Sequence, residues 1–180
     1  MKIFIAGAKS IKDINDDVKV KLLSISDKHY DVLVGDCSGV DTAIQRFFLM
    51  HQYSKITVFA SNGKARNNLG NWPINNVFVE EGIKGFDFYR QKDIAMAKEA
   101  DFGFMIWDGK SKGTLNNIIE LVKQDKQVLI YLVGINKMVL IKDFESLYNL
   151  IAKCDSATQS LFRKYISVPN TTNHQLTFFE

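Results

Sequence analysis

The stretch FGFMIWDGKSKGTLNNIIELV, Phe102 to Val122, decides how this chain folds. It opens with a run free of charged residues, turns through Asp108-Gly109-Lys110-Ser111-Lys112-Gly113-Thr114, and continues with Leu115, Ile118, Ile119 and Val122 on one helical stripe. A run apolar on both faces, then a tight turn, then an amphipathic helix is half of a parallel-sheet crossover.

The same grammar repeats on either side. KIFIA (2–6), DVLVG (31–35), KITVFA (55–60) and QVLIYL (127–132) read as further buried strands, each separated from the next by room for a helix. Val18, Leu22 and Ile25 form one helical stripe, and Val40, Ala43, Ile44, Phe47 and Phe48 another. FDFYRQKDIAMAKEA (86–100) reads as a third helix. The alternation predicts an α/β fold, a doubly wound parallel sheet of about five strands. Residues 61–85 are rich in Gly and Asn, with NVFVE as a candidate short strand. After the fifth strand the pattern changes: MVLI (138–141) fits an edge strand, and two short helical stripes follow around Leu147 and Phe162. The expected division is a doubly wound α/β domain over 1–135 and a C-terminal helical addition over 136–180, ending in an Asn- and Thr-rich tail from Val168.

A chain of 180 residues, 46% apolar and 24% charged, is long enough for one well-filled core and too short for two large domains. Its net charge of +3 contains no run of five like charges, which argues against nucleic acid as a partner. Cys37 and Cys154 form no CxxC pair, and the three histidines lack metal-ligand spacing, so no metal site is expected. No apolar stretch approaches the roughly 18 residues of a membrane span and no leader precedes the first strand, so the expected location is the cytoplasm, away from membranes.

In an open parallel sheet, ligands sit beyond the carboxyl ends of the strands, where helix N-termini present unpaired N–H groups. Three strand ends here carry anion-binding chemistry. Gly7, Ala8, Lys9 and Ser10 follow the first strand; Gly35, Asp36, Cys37, Ser38, Gly39 and Asp41 follow the second, with Ser38 placed to cap the next helix. Asp108, Gly109, Lys110, Ser111, Gly113 and Thr114 follow the fourth and fit a phosphate on a helix N-terminus with lysine support. The order matches neither GxxxxGK[ST] nor GxGxxG.

The pieces IFIAGAKSI, VLVGDCSGVDTAIQRF, YRQKDIAMAKEADFGFMIWDGKSKGT and KQVLIYL, in this order and spacing, resemble the SLOG superfamily of Rossmann-like nucleotide-binding proteins. The branch they look most like is the one labelled DUF2493, related to YspA and YpsA, with WDG-x-S-x-GT as the most specific element. The resemblance implies a Rossmann-like fold and a nucleotide or ADP-ribose-like ligand at the strand ends. Arg90 would join the turns as a bidentate phosphate ligand; its alternative is a helix-surface ion pair with Asp87 or Asp93. It further implies a homodimer, since related folds pair through helices.

The superfamily also contains phosphoribohydrolases of the LOG type, which use a GGxGTxxE motif and an arginine. This chain departs from them: Asn117 stands at the glutamate position and the preceding Pro-Gly-Gly is absent. An amide cannot replace that carboxylate. The leading expectation is therefore a ligand-binding or sensing module, with a nucleotide N-glycosidic hydrolase as the alternative. For the alternative, Asp41, Asp108 and Glu120 are the candidate catalytic carboxylates. A DNA-processing branch of the superfamily exists, but the modest charge argues against that reading. Trp72, Phe86 and Tyr89 are rings that can stack on a base or pack in the core, Trp72 being the first choice for stacking.

Overall fold

All five expected runs become strands, and two more join them. The computed structural model describes residues 1–167; the tail expected from Val168 onward lies outside the described residues. The elements are β1 (Lys2–Gly7), α1 (Asp16–Asp27), β2 (Asp31–Gly35), α2 (Val40–Met50), β3 (Ile56–Ser61), β4 (Ile74–Val77), α3 (Gly85–Glu99), β5 (Phe102–Trp107), α4 (Lys112–Val122), β6 (Val128–Leu132), β7 (Lys137–Ile141), α5 (Phe144–Ile151) and α6 (Ser156–Ile166).

They build a seven-stranded sheet in the order β4-β3-β2-β1-β5-β6-β7. Every pairing is parallel except β6 with β7, which is antiparallel, Ile130 lying opposite Val139. This is a Rossmann-like, doubly wound α/β fold. The order reverses at β1: the chain steps outward through β2, β3 and β4 on one side and through β5, β6 and β7 on the other.

The period of two along each strand divides the core between the faces. Phe4, Leu33, Phe59, Met105, Trp107 and Ile130 pack toward α3, α4 and the C-terminal helices. Ile3, Ile5, Val34, Val58, Phe104 and Ile106 pack toward α1 and α2. Both faces are covered, which is why the central strands read as continuous apolar runs.

The two additional strands differ from the buried ones. β7 is the edge strand expected at MVLI. β4 begins earlier than NVFVE, and its first residues are exposed. Beyond β4 the pairing is continued by a side chain: the Asn62 amide accepts from Val79 N and donates to Val79 O, occupying Val79's backbone groups as a neighbouring strand would. Outward-facing polar residues at an edge give weak periodicity, so neither limit of β4 is marked in the sequence.

Helix starts fall into two groups. Asn15 accepts from Val18 N at α1, Asp143 and Ser146 form a capping box at α5, and Asp155 accepts from Thr158 N at α6. In contrast, α2, α3 and α4 begin without a side-chain cap. Among the described residues no helix is long and apolar enough to cross a membrane.

The C-terminal helices share the core of the sheet: Leu147, Ile151 and Phe162 are buried with Trp107, Leu121 and Ile130. Leu147→Ala is therefore expected to lower stability by about 2–5 kcal/mol while leaving a single cooperative urea transition. Two separate transitions, or a loss under ~1 kcal/mol, would show α5 and α6 to be energetically detached.

Candidate functional site

β1 ends where α2, α3 and α4 converge, and a cavity of about 420 Å³ opens there. Its walls come from Gly7, Ala8 and Lys9 after β1, Cys37 and Asp41 around the start of α2, and Ser111, Gly113 and Thr114 at the start of α4. From α3 come Phe86, Tyr89, Asp93 and Met96, at helical spacings that place them on one face. This is the reversal point of strand order, where an open parallel sheet leaves a crevice between crossovers that depart on opposite faces.

Three glycines make the convergence possible. A Cβ on Gly7 would meet Ile106 O and the Val40 side chain, and one on Gly35 would occupy the space of Asp41 Oδ2 and Lys92 Nζ. Gly39 sits at φ 87°, over the backbone of Lys9; it is the N-cap of α2. Ser38 does not take that capping role, a correction to the sequence reading. It lines a neighbouring surface cleft with Lys12 and Arg46.

The floor of the crevice is charged. Asp41, 6% exposed, accepts a hydrogen bond from Cys37 N at 3.1 Å. Burial pushes its carboxyl up to about 6, against the pull of Lys92; Asp93 adds to the rise. Lys92 is also buried, and its ammonium lies 2.6 Å from Asp93 Oδ1. Burial opposes its charge, but Asp93 and Asp41 outweigh that and hold it protonated, above the ordinary lysine value.

Asp36 does not face the crevice as a ligand group. It is buried and grips Arg66, accepting from Nε at 3.0 Å, from Nη2 at 2.6 Å and from the backbone N at 3.1 Å. Burial raises the Asp36 carboxyl, yet these bonds bring it below its usual range. Arg66 is thereby positioned on the crevice wall with its guanidinium 4.5 Å from the centre of the Tyr89 ring. Sequence reasoning missed Arg66 and Lys92. Arg66 follows the carboxyl end of β3, so the rule that selected the other strand ends selects it too.

The turn between β5 and α4 is organised by Asp108. Its Oδ1 accepts from Lys110 N and Ser111 N, and its Oδ2 accepts from the hydroxyls of Ser111 and Ser10. Burial works upward on this carboxyl, but the four donors hold it below the ordinary value. Asp108, Gly109 and Lys110 line a different cleft, toward Cys154 and Asp155. Asp108 is thus a turn-former whose lone pairs are occupied, which corrects its candidacy as an acid or base. Ser10 is tied to it, outside the crevice lining.

Arg90 is the other displaced residue. It points to α4, donating from Nε to Asn116 Oδ1 at 2.8 Å and from Nη2 to Glu120 Oε1 at 2.6 Å. Glu120 is consequently a buried partner of Arg90, and neither lines the crevice. Of the three candidate carboxylates only Asp41 faces it. Trp72 is packed in the core with its Nε1 donating to Tyr53 O, whereas Phe86 and Tyr89 border the crevice. Among the described residues no group of three His, Cys, Asp or Glu side chains is arranged to hold a metal ion.

Comparison with family models finds no match, and comparison with curated proteins finds none either. Among solved structures, DNA processing protein A from Helicobacter pylori is similar, with a TM-score of 0.57 and 12% identity over 92% of this chain and 80% of that one. At that identity the likeness is one of fold. The structure is described for its single-stranded DNA binding mode. That finding overturns the argument from net charge against a nucleic-acid partner: the H. pylori protein, which shares the fold, binds single-stranded DNA, and a whole-chain charge does not report on a local surface.

Asp41 holds its proton more tightly in the folded chain than the ordinary value of 3.8 allows, so its contribution to stability is complete below about pH 4 and is lost as pH rises through about 6. Asp36, shifted the other way, acts in the opposite sense and at lower pH. Asp41→Asn is expected to remove a swing on the order of 2 kcal/mol between pH 4 and 7 in urea titrations; an unchanged slope would refute the assignment. Arg90→Ala strands Glu120 without its partner and is expected to cost about 3–5 kcal/mol, read from the same titrations.

Proposed function

We propose that this chain binds a nucleotide in the crevice between β1 and β5, with its phosphate on the first turn of α4. The observation that supports the reading is that turn. Ser111, the N-cap of α4, makes no side-chain cap hydrogen bond, and Ser111, Lys112 and Gly113 border the same cavity as Arg66. Uncapped N–H groups and the positive end of the helix dipole form an anion site, and two cations beside it add charge-assisted donors.

The cations are each paired with a ring. Arg66 lies over Tyr89, and Lys112 Nζ lies 5.1 Å from the centre of the Phe86 ring. An anion arriving at α4 competes for both, and the two rings at the rim then present faces on which a base can stack. Phosphate donors and stacking surfaces side by side favour a nucleotide over a bare anion. The resemblance to nucleotide-binding SLOG proteins points the same way.

A second reading is a nucleotide unit within a single strand. The single-stranded DNA binding described for the similar H. pylori protein favours it, and the exposed Lys9, Lys12, Lys64 and Lys110 supply basic groups around the same edge of the sheet.

Equilibrium dialysis against adenosine 5′-monophosphate, with chromatography of both chambers, tests the first reading. Retention of intact nucleotide is expected, weakened roughly tenfold by Lys112→Ala and at least as much by Arg66→Ala. Retention of a single-stranded oligonucleotide alone, falling steeply with salt, would favour the second reading. Free base in the chambers would mean turnover and make Asp41 the carboxylate to remove. Retention of neither nucleotide nor oligonucleotide would end both readings.

A further inference from the structure

Two side chains on the crevice wall are buried without partners. Thr114 is 2% exposed and Asn117 is 5% exposed, and both line the cavity. Thr114 Oγ1 and Asn117 Oδ1 have no hydrogen-bond partner. They lie three residues apart on α4, one turn along the same face. A third orphan, Asn116 Nδ2, belongs to the junction with Arg90 and lies outside the crevice lining.

The charged groups on the crevice floor are engaged: Asp41 holds Cys37 N and Lys92 holds Asp93. An unpaired buried polar atom carries its full desolvation cost, and folded proteins contain few of them. Two on one wall of one cavity, directly below an uncapped helix N-terminus, mark a surface that a ligand completes.

Their chemistry narrows the ligand. The Asn117 carboxamide, which no hydrogen bond holds in one orientation, can accept through its oxygen or donate through its nitrogen, and Thr114's hydroxyl can also do either, so a ligand hydroxyl matches both. A phosphate at neutral pH offers mainly acceptors, which suits the N–H groups of α4, Arg66 and Lys112. The rise of about 1.5 Å per residue puts Asn117 about 6 Å along the helix from Gly113. Inorganic phosphate cannot span that length, and a phosphorylated sugar can.

We propose that the crevice recognises the vicinal diol of a ribose whose phosphate sits on the α4 N-terminus, the 2-hydroxyl pairing with the Asn117 carboxamide and the 3-hydroxyl with Thr114 Oγ1. This rests on the phosphate site proposed above and adds a selection: ribose phosphates, free or within a ribonucleotide, are preferred over their 2-deoxy counterparts.

Calorimetric titration of the whole chain with ribose 5-phosphate, 2-deoxyribose 5-phosphate and inorganic phosphate tests it, with adenosine and deoxyadenosine monophosphates distinguishing nucleotide from sugar phosphate as the source. The wild type is expected to bind each ribose compound about tenfold more tightly than its 2-deoxy partner, as loss of one hydrogen bond to a buried amide implies. Near-isosteric Asn117→Leu removes the group that meets the 2-hydroxyl, so it is expected to abolish the preference, retain inorganic phosphate binding, and match or exceed the wild-type Tm, whereas Thr114→Val is expected to weaken ribose and 2-deoxyribose compounds alike and leave the preference in place. A purely structural role for these side chains would lower the Tm instead. Equal binding of ribose and 2-deoxyribose compounds by the wild type overturns this inference alone and needs no variant to fold. A preference that survives Asn117→Leu also overturns it. Absence of binding by all the phosphates overturns the phosphate site and this inference together.

Discussion

The crevice depends on the close approach of β1 to its neighbours at Gly7. Ala8 N donates to Ile106 O just past the end of β1, and a Cβ on Gly7 would strike both that carbonyl and Val40. β1, β5 and the first turn of α2 can meet at this point only because one position has no side chain. The crossovers then leave on opposite faces of the sheet, and the gap between them becomes a cavity.

The helix pitch assigns the charges. Arg90 and Lys92 are two residues apart on α3, a spacing that turns side chains to nearly opposite sides of a helix. Arg90 joins α3 to α4 through Asn116 and Glu120, while Lys92 faces β2, α2 and the crevice floor. Phe86, Tyr89, Asp93 and Met96 follow the crevice side of the same helix. One element therefore supplies a structural ion pair on one side and a wall of the site on the other. Asp36 and Arg66 achieve a similar coupling across loops, a buried carboxylate fixing the cation that borders the cavity.

The C-terminal helices are tied to the same region. Thr158 Oγ1 donates to Gly109 O at 3.0 Å, and the Tyr165 ring stacks parallel to Phe86 with centres 6.1 Å apart. The turn before α4 and the aromatic rim are therefore both braced by α6. Any ligand that displaces Lys112 from Phe86 acts on a ring that α6 also touches, which links the crevice physically to the last helix described.

The sequence by itself determined the layered architecture and marked the strand-end turns that border the crevice. Strands buried on both faces need apolar residues at every position, and covering helices need an apolar stripe; both are local patterns, legible without coordinates. The glycine-bearing turns at the strand ends were equally legible, because tight backbone approach excludes other residues. Tertiary structure alone decided which charged side chains face the crevice. The choice of Arg66 and Lys92 over Arg90, of Asp41 over Asp108 and Glu120, and of Phe86 and Tyr89 over Trp72 rests on partners distant in the chain, such as Asp36 for Arg66 and Glu120 for Arg90. The two unpartnered groups of α4 were hidden for the same reason: a missing hydrogen bond is a property of the packed surroundings and leaves no mark in residue order.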